Sequence, residues 1–394
     1  MITHNHANFI ARSIDSVLMQ KTSFPFELVI GEDASTDSTL QIIHDYASRF
    51  PGKILALGHS KNLGMSGNFF NTLARCRGKY IALLEGDDRW PNENKLQIQV
   101  DFLEQHAEVI ACGGNTFSES DPRKAGYRLV KGLKKFLPPK MEIFSREEMI
   151  VSNRFRTLTV VARADAFKFS AEQILSSPVL DWPLFISLTN NNPDKNYVNL
   201  PFYFGAYNVH DRGVFSGSSF SSRLKISADA REIISSITHG RYLGWHFPVL
   251  RMADPKKYNE SFLRLHYHSA LPGMKSIFSE TNSFTIAENV LARNDSVMQN
   301  LGFVFSDLFL KSINFDSFTK NIIILLRMVQ SKALSVVERE RLLRAVGTAW
   351  RDTLFYSRPG IATLQYFLSS PLKKYSGIYW YTVLNVYRRT HIKT

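Results

Sequence analysis

Apolar positions along the N-terminal part of the chain alternate between two periods. Over residues 9–20, Phe9, Ile10, Ile14, Val17 and Leu18 recur at helical spacing, and the apolar run at 26–30 is strand-like. The exchange then repeats. Leu40, Ile42, Ile43 and Tyr46 form the apolar side of a second helix, which residues 35–39 can cap and Pro51-Gly52 ends. Strands are predicted at 53–57 and 79–84, with a helix through 69–74 between them that Gly78 closes. Residues 95–106 make a strong amphipathic helix, and 109–112 a further strand that runs into Gly113 and Gly114. Such alternation predicts an α/β fold: a mostly parallel central sheet covered by helices on both faces.

The pattern changes further along. Residues 120–140 are irregular, with Lys131, Lys134, Lys135, Pro138 and Pro139, and read either as a lid or as a plain solvated loop. Residues 141–210 return to compact alternation. Beyond about residue 222 the periodicity is mainly helical, at 224–240, 257–268, 285–294 and 334–346, before a Tyr/Trp-rich tail at 375–387. The expected division is an α/β domain over 1–212 and a mainly helical region over 213–394.

Ligands of doubly covered sheets bind beyond the carboxyl ends of the strands. Two acidic loops fall there: Glu32 and Asp33 after one strand, and the tetrad Glu85-Gly86-Asp87-Asp88 after another. Both are expected on one rim. Close carboxylates repel unless water, cations or donors compensate. A divalent ion would hold them and leave positions open for phosphate oxygens, whereas a surface acidic turn is the plain alternative.

Composition narrows the picture only slightly. The 394 residues can form one large domain plus a smaller one, and 44% apolar content supports a buried core. A formal charge of +13 favours anionic partners without choosing among phosphates, nucleic acid and an anionic membrane. No organised basic and aromatic constellation is visible, so nucleic acid is not expected. Cys76 and Cys112 have neither metal-ligand spacing nor a disulfide framework, which fits a reducing cytoplasm. No secretory leader is visible, and the apolar run at 322–326 is too short to span a bilayer. Peripheral contact with a membrane through Lys373, Lys374, Arg388 and Arg389 stays open.

Several short motifs then join in order: Thr3-His4-Asn5-His6, the acidic segment 31–37, Asn62-Leu63-Gly64, and the run 78–88 with its terminal tetrad. Trp90, Lys95-Leu96, Leu180-Asp181-Trp182-Pro183-Leu184 and the segment Tyr207 to His210 follow. In this order and spacing, over residues 1–212, the chain resembles the family 2 glycosyltransferases of the GT-A fold. The resemblance implies inverting transfer from a nucleoside-diphosphate sugar, commonly UDP-linked, to a glycan or glycolipid acceptor in cell-surface polysaccharide synthesis. It implies Asp33 at the base, with Thr3 and Glu32 beside it, and Asp87 at the donor ribose or sugar. Asp88 would hold Mn2+ or Mg2+ with His210, and Asp181 would be the catalytic base. Asn62 and Gly64 would shape the donor pocket together with Asn68, while Lys61 and Arg212 would offset phosphate charge. The loop at 120–140 and the helical region would gate the acceptor side.

Other readings stand beside these. Asp33 or Ser35 caps the next helix, Asp181 is an N-cap, and Lys61 is merely solvated. Arg154 and Arg156 face an acceptor, a phosphate or solvent. A nucleotidyltransferase would need a Gly-rich phosphate loop and a dehydrogenase G-x-G-x-x-G, and neither is present. A non-catalytic nucleotide- or glycan-binding scaffold is the remaining alternative. The chain also departs from the family at its start, with His4 where Tyr is common and almost no strand before Thr3. That departure predicts either a natural start upstream of Met1 or another segment filling the first central strand.

Overall fold

The computed structural model describes residues 1–119, 140–170, 172–175, 177, 179–210, 213, 217–270, 282–292, 297–332 and 334–357. Residues 120–139 of the expected lid at 120–140, Arg212 and the tail with Lys373, Lys374, Arg388 and Arg389 lie outside the described residues. The chain forms two compact units: Met1–Arg146 with Arg154–Gly217, and Glu147–Asn153 with the chain from Ser218 onward.

In the first unit, β1 (Ile2–Thr3), β2 (Leu28–Glu32) and β3 (Ile54–Gly58) pair in parallel in that order. At the start of the chain β1 pairs with β2 over two positions, Ile2 with Gly31 and Thr3 with Glu32. Ile2 also bridges to Glu85 in parallel, its N–H donating to Leu84 O (3.3 Å) while Gly86 N–H donates to Ile2 O (2.9 Å). A second sheet runs β4 (Tyr80–Ala82), β7 (Val161–Arg163), β5 (Val109–Glu119), β8 (Asn196–Asn208), β6 (Glu142–Phe144). Parallel pairing holds through β1–β3 and between β5 and β8, while β7 and β6 enter antiparallel to their neighbours.

Helix α1 (Ile10–Leu18) buries Ile10, Ile14 and Val17, the stripe its periodicity predicts. It joins Ile30, Ile43, Leu84, Trp90, Leu103, Cys112 and Phe204 in the core. Helix α2 (Thr39–Arg49) contributes Ile43, and α4 (Lys95–Gln105) contributes Leu96 and Leu103. Helix α3 (Gly64–Leu73) packs unusually close to β2. A methyl at Gly31 would lie 1.8 Å from Thr72 Oγ1 and 2.3 Å from Asn68 Oδ1, so only glycine fits that crossing. Asn68 is buried there, its amide donating to Gly31 O (3.0 Å). This bond pins α3 to β2.

The second unit is helical, as expected. The short helix α5 (Arg146–Val151) opens its first segment, and Glu148 is fully buried there with Arg344 Nε at 2.8 Å and Arg341 Nε at 4.0 Å. Two short helices, α6 (Glu172–Leu175) and α7 (Asp181–Ser187), belong to the first unit. The second continues through α8 (Phe220–Ile237), α9 (Leu243–Ala253), α10 (Glu260–Ala270), α11 (Ser283–Ala292), α12 (Val297–Lys311), α13 (Phe315–Ser331) and α14 (Val336–Ser357). Among the described residues no helix is long and apolar enough to cross a membrane.

Candidate functional site

The carboxyl ends of β1 and β2 and the segment after β4 meet on one rim, as the alternation of elements predicts. Asp33 N–H donates to Thr3 O (3.0 Å), and Thr3 lies directly beneath Gly86. The two acidic loops are therefore neighbours. Glu32 is buried, one carboxylate oxygen accepting Ser35 N–H (2.7 Å) and the other, Oε2, without a hydrogen-bond partner. Ala34 turns the chain away with φ +55°. Asp33 is also buried, but it does not cap the following helix α2. Its Oδ1 accepts from Leu63 N–H (2.6 Å), at the start of α3, and its carbonyl accepts from Asn62 Nδ2 (3.1 Å) and His4 Nδ1 (2.8 Å). Asp33 thus ties the loop carrying Lys61, Asn62 and Gly64 to the end of β2. Asn62 Oδ1 accepts Gly64 N–H (2.9 Å), and Lys61 stands exposed.

Asp87 and Asp88 face different surroundings. Asp88 is buried, with Oδ1 accepting Asn208 N–H (2.8 Å) at the end of β8 and its carbonyl accepting the Ser13 hydroxyl (2.5 Å). Asp87 instead meets two imidazoles, His210 Nε2 at 2.8 Å and His6 Nε2 at 3.9 Å. One ligand atom from each of these three residues lies within 4.8 Å of the others. The expected metal pair, Asp88 with His210, is therefore not what the geometry brings together: the carboxylate beside His210 is that of Asp87. Asp88 is turned inward because β8 presents a backbone N–H that needs an acceptor. Asp87 and His210 offer a carboxylate oxygen and an imidazole nitrogen, donors that suit a divalent ion.

The electrostatics follow from this arrangement. Burial alone would raise the Asp87 carboxyl, but the His210 hydrogen bond and the two imidazoles outweigh it and hold the group below the usual range. Burial, with Asp87 and Glu85 nearby, pushes Asp88 well above it. Glu85 is pushed up to about 8 by burial and by the charges of Asp87 and Asp181. His6 is lowered, because burial exceeds the attraction of Asp87. The acidic loop thus need not carry three full negative charges at neutral pH.

Asp181 opens α7, and its charge is one of those that raise the Glu85 carboxyl. Its Oδ1 accepts Trp182 N–H (2.8 Å), and Trp182 packs into the interior. Two features escaped the sequence reading. His6 was only one letter of the N-terminal motif, although its spacing from Thr3 within a turn was a usable signal. Arg89 binds Glu119 through Nε (3.0 Å), Arg12 binds the same carboxylate (2.9 Å), and Arg89 pairs by backbone with Ala206. Nothing local in sequence joins those residues.

The family model described as glycosyl transferase family 2 matches residues 1–164. An uncharacterized protein of Mycobacterium tuberculosis is 40% identical over 111 residues, 28% of this chain and 32% of that one. A chondroitin synthase of Escherichia coli is 26% identical over 196 residues, 49% of this chain and 26% of that one. These alignments span a third or less of the relatives' own length. Residues 1–349 of TarS from S. aureus superpose with a TM-score of 0.46 at 15% identity, covering 78% of this chain and 89% of that one.

Proposed function

Through residues 1–164 the chain belongs to the family 2 glycosyltransferases, and on that footing we propose that it transfers a sugar from a nucleoside-diphosphate donor to an acceptor hydroxyl, inverting the anomeric carbon. The observation that carries the proposal is the pairing of Asp87 with His210 in the acidic loop, beside the carboxyl ends of β1 and β2. In this reading Asp181 takes the proton from the acceptor hydroxyl, whose oxygen attacks the anomeric carbon as the nucleoside diphosphate leaves from the opposite face. A divalent ion, Mn2+ or Mg2+, held by Asp87 and His210 would supply positive charge to the departing diphosphate. Asp88 keeps Asn208, and with it the approach to His210, in place. While no ion is bound, burial and the charges of Asp87 and Asp181 favour the protonated form of Glu85.

Glu32, Asp33 and Thr3 would receive the nucleotide base, UDP being the expected carrier by resemblance. Asn62 and Gly64 would border the donor, with Lys61 answering phosphate charge. A chondroitin synthase among the relatives supports a glycan acceptor. The formal charge of +13 is compatible with a donor that carries phosphate groups.

The test is calorimetric titration of the chain with UDP and GDP, with and without Mn2+, followed by diphosphate release from a panel of donor sugars. Metal-dependent binding that Asp87→Asn abolishes, with sugar-dependent release, supports the reading. A folded chain that binds no nucleoside diphosphate overturns it and leaves the non-catalytic scaffold.

A further inference from the structure

We infer that His6 is a third ligand of the cation held by Asp87 and His210, making a site of two imidazoles and one carboxylate that selects Mn2+ over Mg2+. The inference rests on the proposed nucleotide-sugar reading and adds to it a residue and an ion preference. Its basis is how His6 is held. The backbone is fixed on both sides: His6 N–H donates to Thr39 Oγ1 (2.9 Å), and its carbonyl accepts Phe9 and Ile10 N–H (2.8 and 2.9 Å) at the start of α1. The ring is fixed as well, with Nδ1 in a hydrogen bond to Thr3 Oγ1 (3.1 Å). That leaves Nε2 directed at Asp87 from 3.9 Å, beyond hydrogen-bond reach. Donors bound about 2.0–2.2 Å from one ion lie at most about 4.4 Å apart, and both distances to Asp87, 2.8 and 3.9 Å, fall inside that span.

Space for this arrangement is built into the acidic loop. A methyl at Gly86 would come 2.4 Å from Thr3 Oγ1 and 3.1 Å from His6 Nδ1. A side chain there would push the Thr3–His6 pair off the loop. A ring whose far nitrogen is tied to a second residue while the near one faces a carboxylate has the arrangement of a supported metal ligand. On the other side, Phe9 packs against the His210 ring at 4.9 Å, and the His6 and His210 rings meet edge to face at 6.2 Å. Imidazole nitrogen favours transition ions, whereas Mg2+ prefers an all-oxygen octahedron.

The experiment titrates the full chain with Mn2+, alone and with UDP, following free Mn2+ by electron paramagnetic resonance, with Mg2+ as competitor. His6→Asn, which removes the ligand itself, is expected to weaken Mn2+ binding by more than the about 10- to 100-fold that loss of a ligand's supporting partner costs, and to erase the preference over Mg2+. Thr3→Val, which leaves the imidazole but removes its tether, is expected to weaken binding by a smaller factor. Electron spin-echo modulation should report two coordinated imidazoles in the natural chain and one in His6→Asn. Circular dichroism identifies a variant that fails to fold, and Thr3→Val then carries the test. If His6→Asn and Thr3→Val bind Mn2+ like the natural chain while Asp87→Asn does not, His6 is no ligand and the broader reading survives. If the natural chain binds no Mn2+ with or without UDP, this inference falls, and calorimetry with the nucleotide alone decides whether the broader reading falls with it.

Discussion

At Asp87 a carboxylate faces two imidazoles, and one residue later, at Asp88, it accepts a backbone N–H from Asn208. The sequence made the acidic character of this loop plain. It could not say which carboxylate turns inward, because that depends on a β8 backbone group more than a hundred residues away. Asp87→Asn should abolish Mn2+-dependent nucleotide binding, whereas Asp88→Ala should mainly cost stability, about 1–3 kcal/mol for an acceptor withdrawn from a buried N–H, read by urea denaturation. Asp181→Asn should lower kcat about 100- to 10,000-fold with donor KM little changed, read by diphosphate release. Glu85 supplies a pH prediction. Its carboxyl titrates near 8 in the fold against 4.5 when exposed, so between those values the folded state retains a proton that the unfolded state has released. Its stabilising contribution is complete below about 4.5 and is lost as pH climbs through 8. Without divalent ions, Glu85→Gln should therefore lose less Tm than the natural chain between pH 5 and pH 8.

Among the elements, the strands and helices of the first unit were legible from periodicity, and their close contacts were not. Gly31 reads as an ordinary strand residue, yet the seating of α3 on β2 depends on its missing side chain. Gly31→Ala should cost about 1–3 kcal/mol of stability by overpacking, measured as a shift in the urea midpoint. Lys95 is the counterpart on α4. Periodicity does not show that Trp90 and Phe204 wall in its ammonium, with Nζ 4.1 Å from the Trp90 ring centre. Burial lowers Lys95 to about 7, so the fold is penalised most below that value and progressively less as pH rises toward 10.5. Lys95→Met should stabilise the protein, by more at pH 6 than at pH 9, as read by thermal melting.

For the whole molecule, the change from alternating to helical pattern was legible, but a linear cut cannot express the order in which the chain visits the two units. It leaves the first unit at Glu147, returns at Arg154, and leaves again at Ser218. Seven residues, with Met149, Ile150 and Val151 buried around Glu148, belong with partners made much later. Glu148 waits 196 residues for Arg344. At the ribosome, where chains grow by about 5–20 residues per second, that wait is about 10–40 s. Throughout it the nascent chain carries an apolar peptide around an acid that still lacks Arg344, a natural landing place for a holding chaperone.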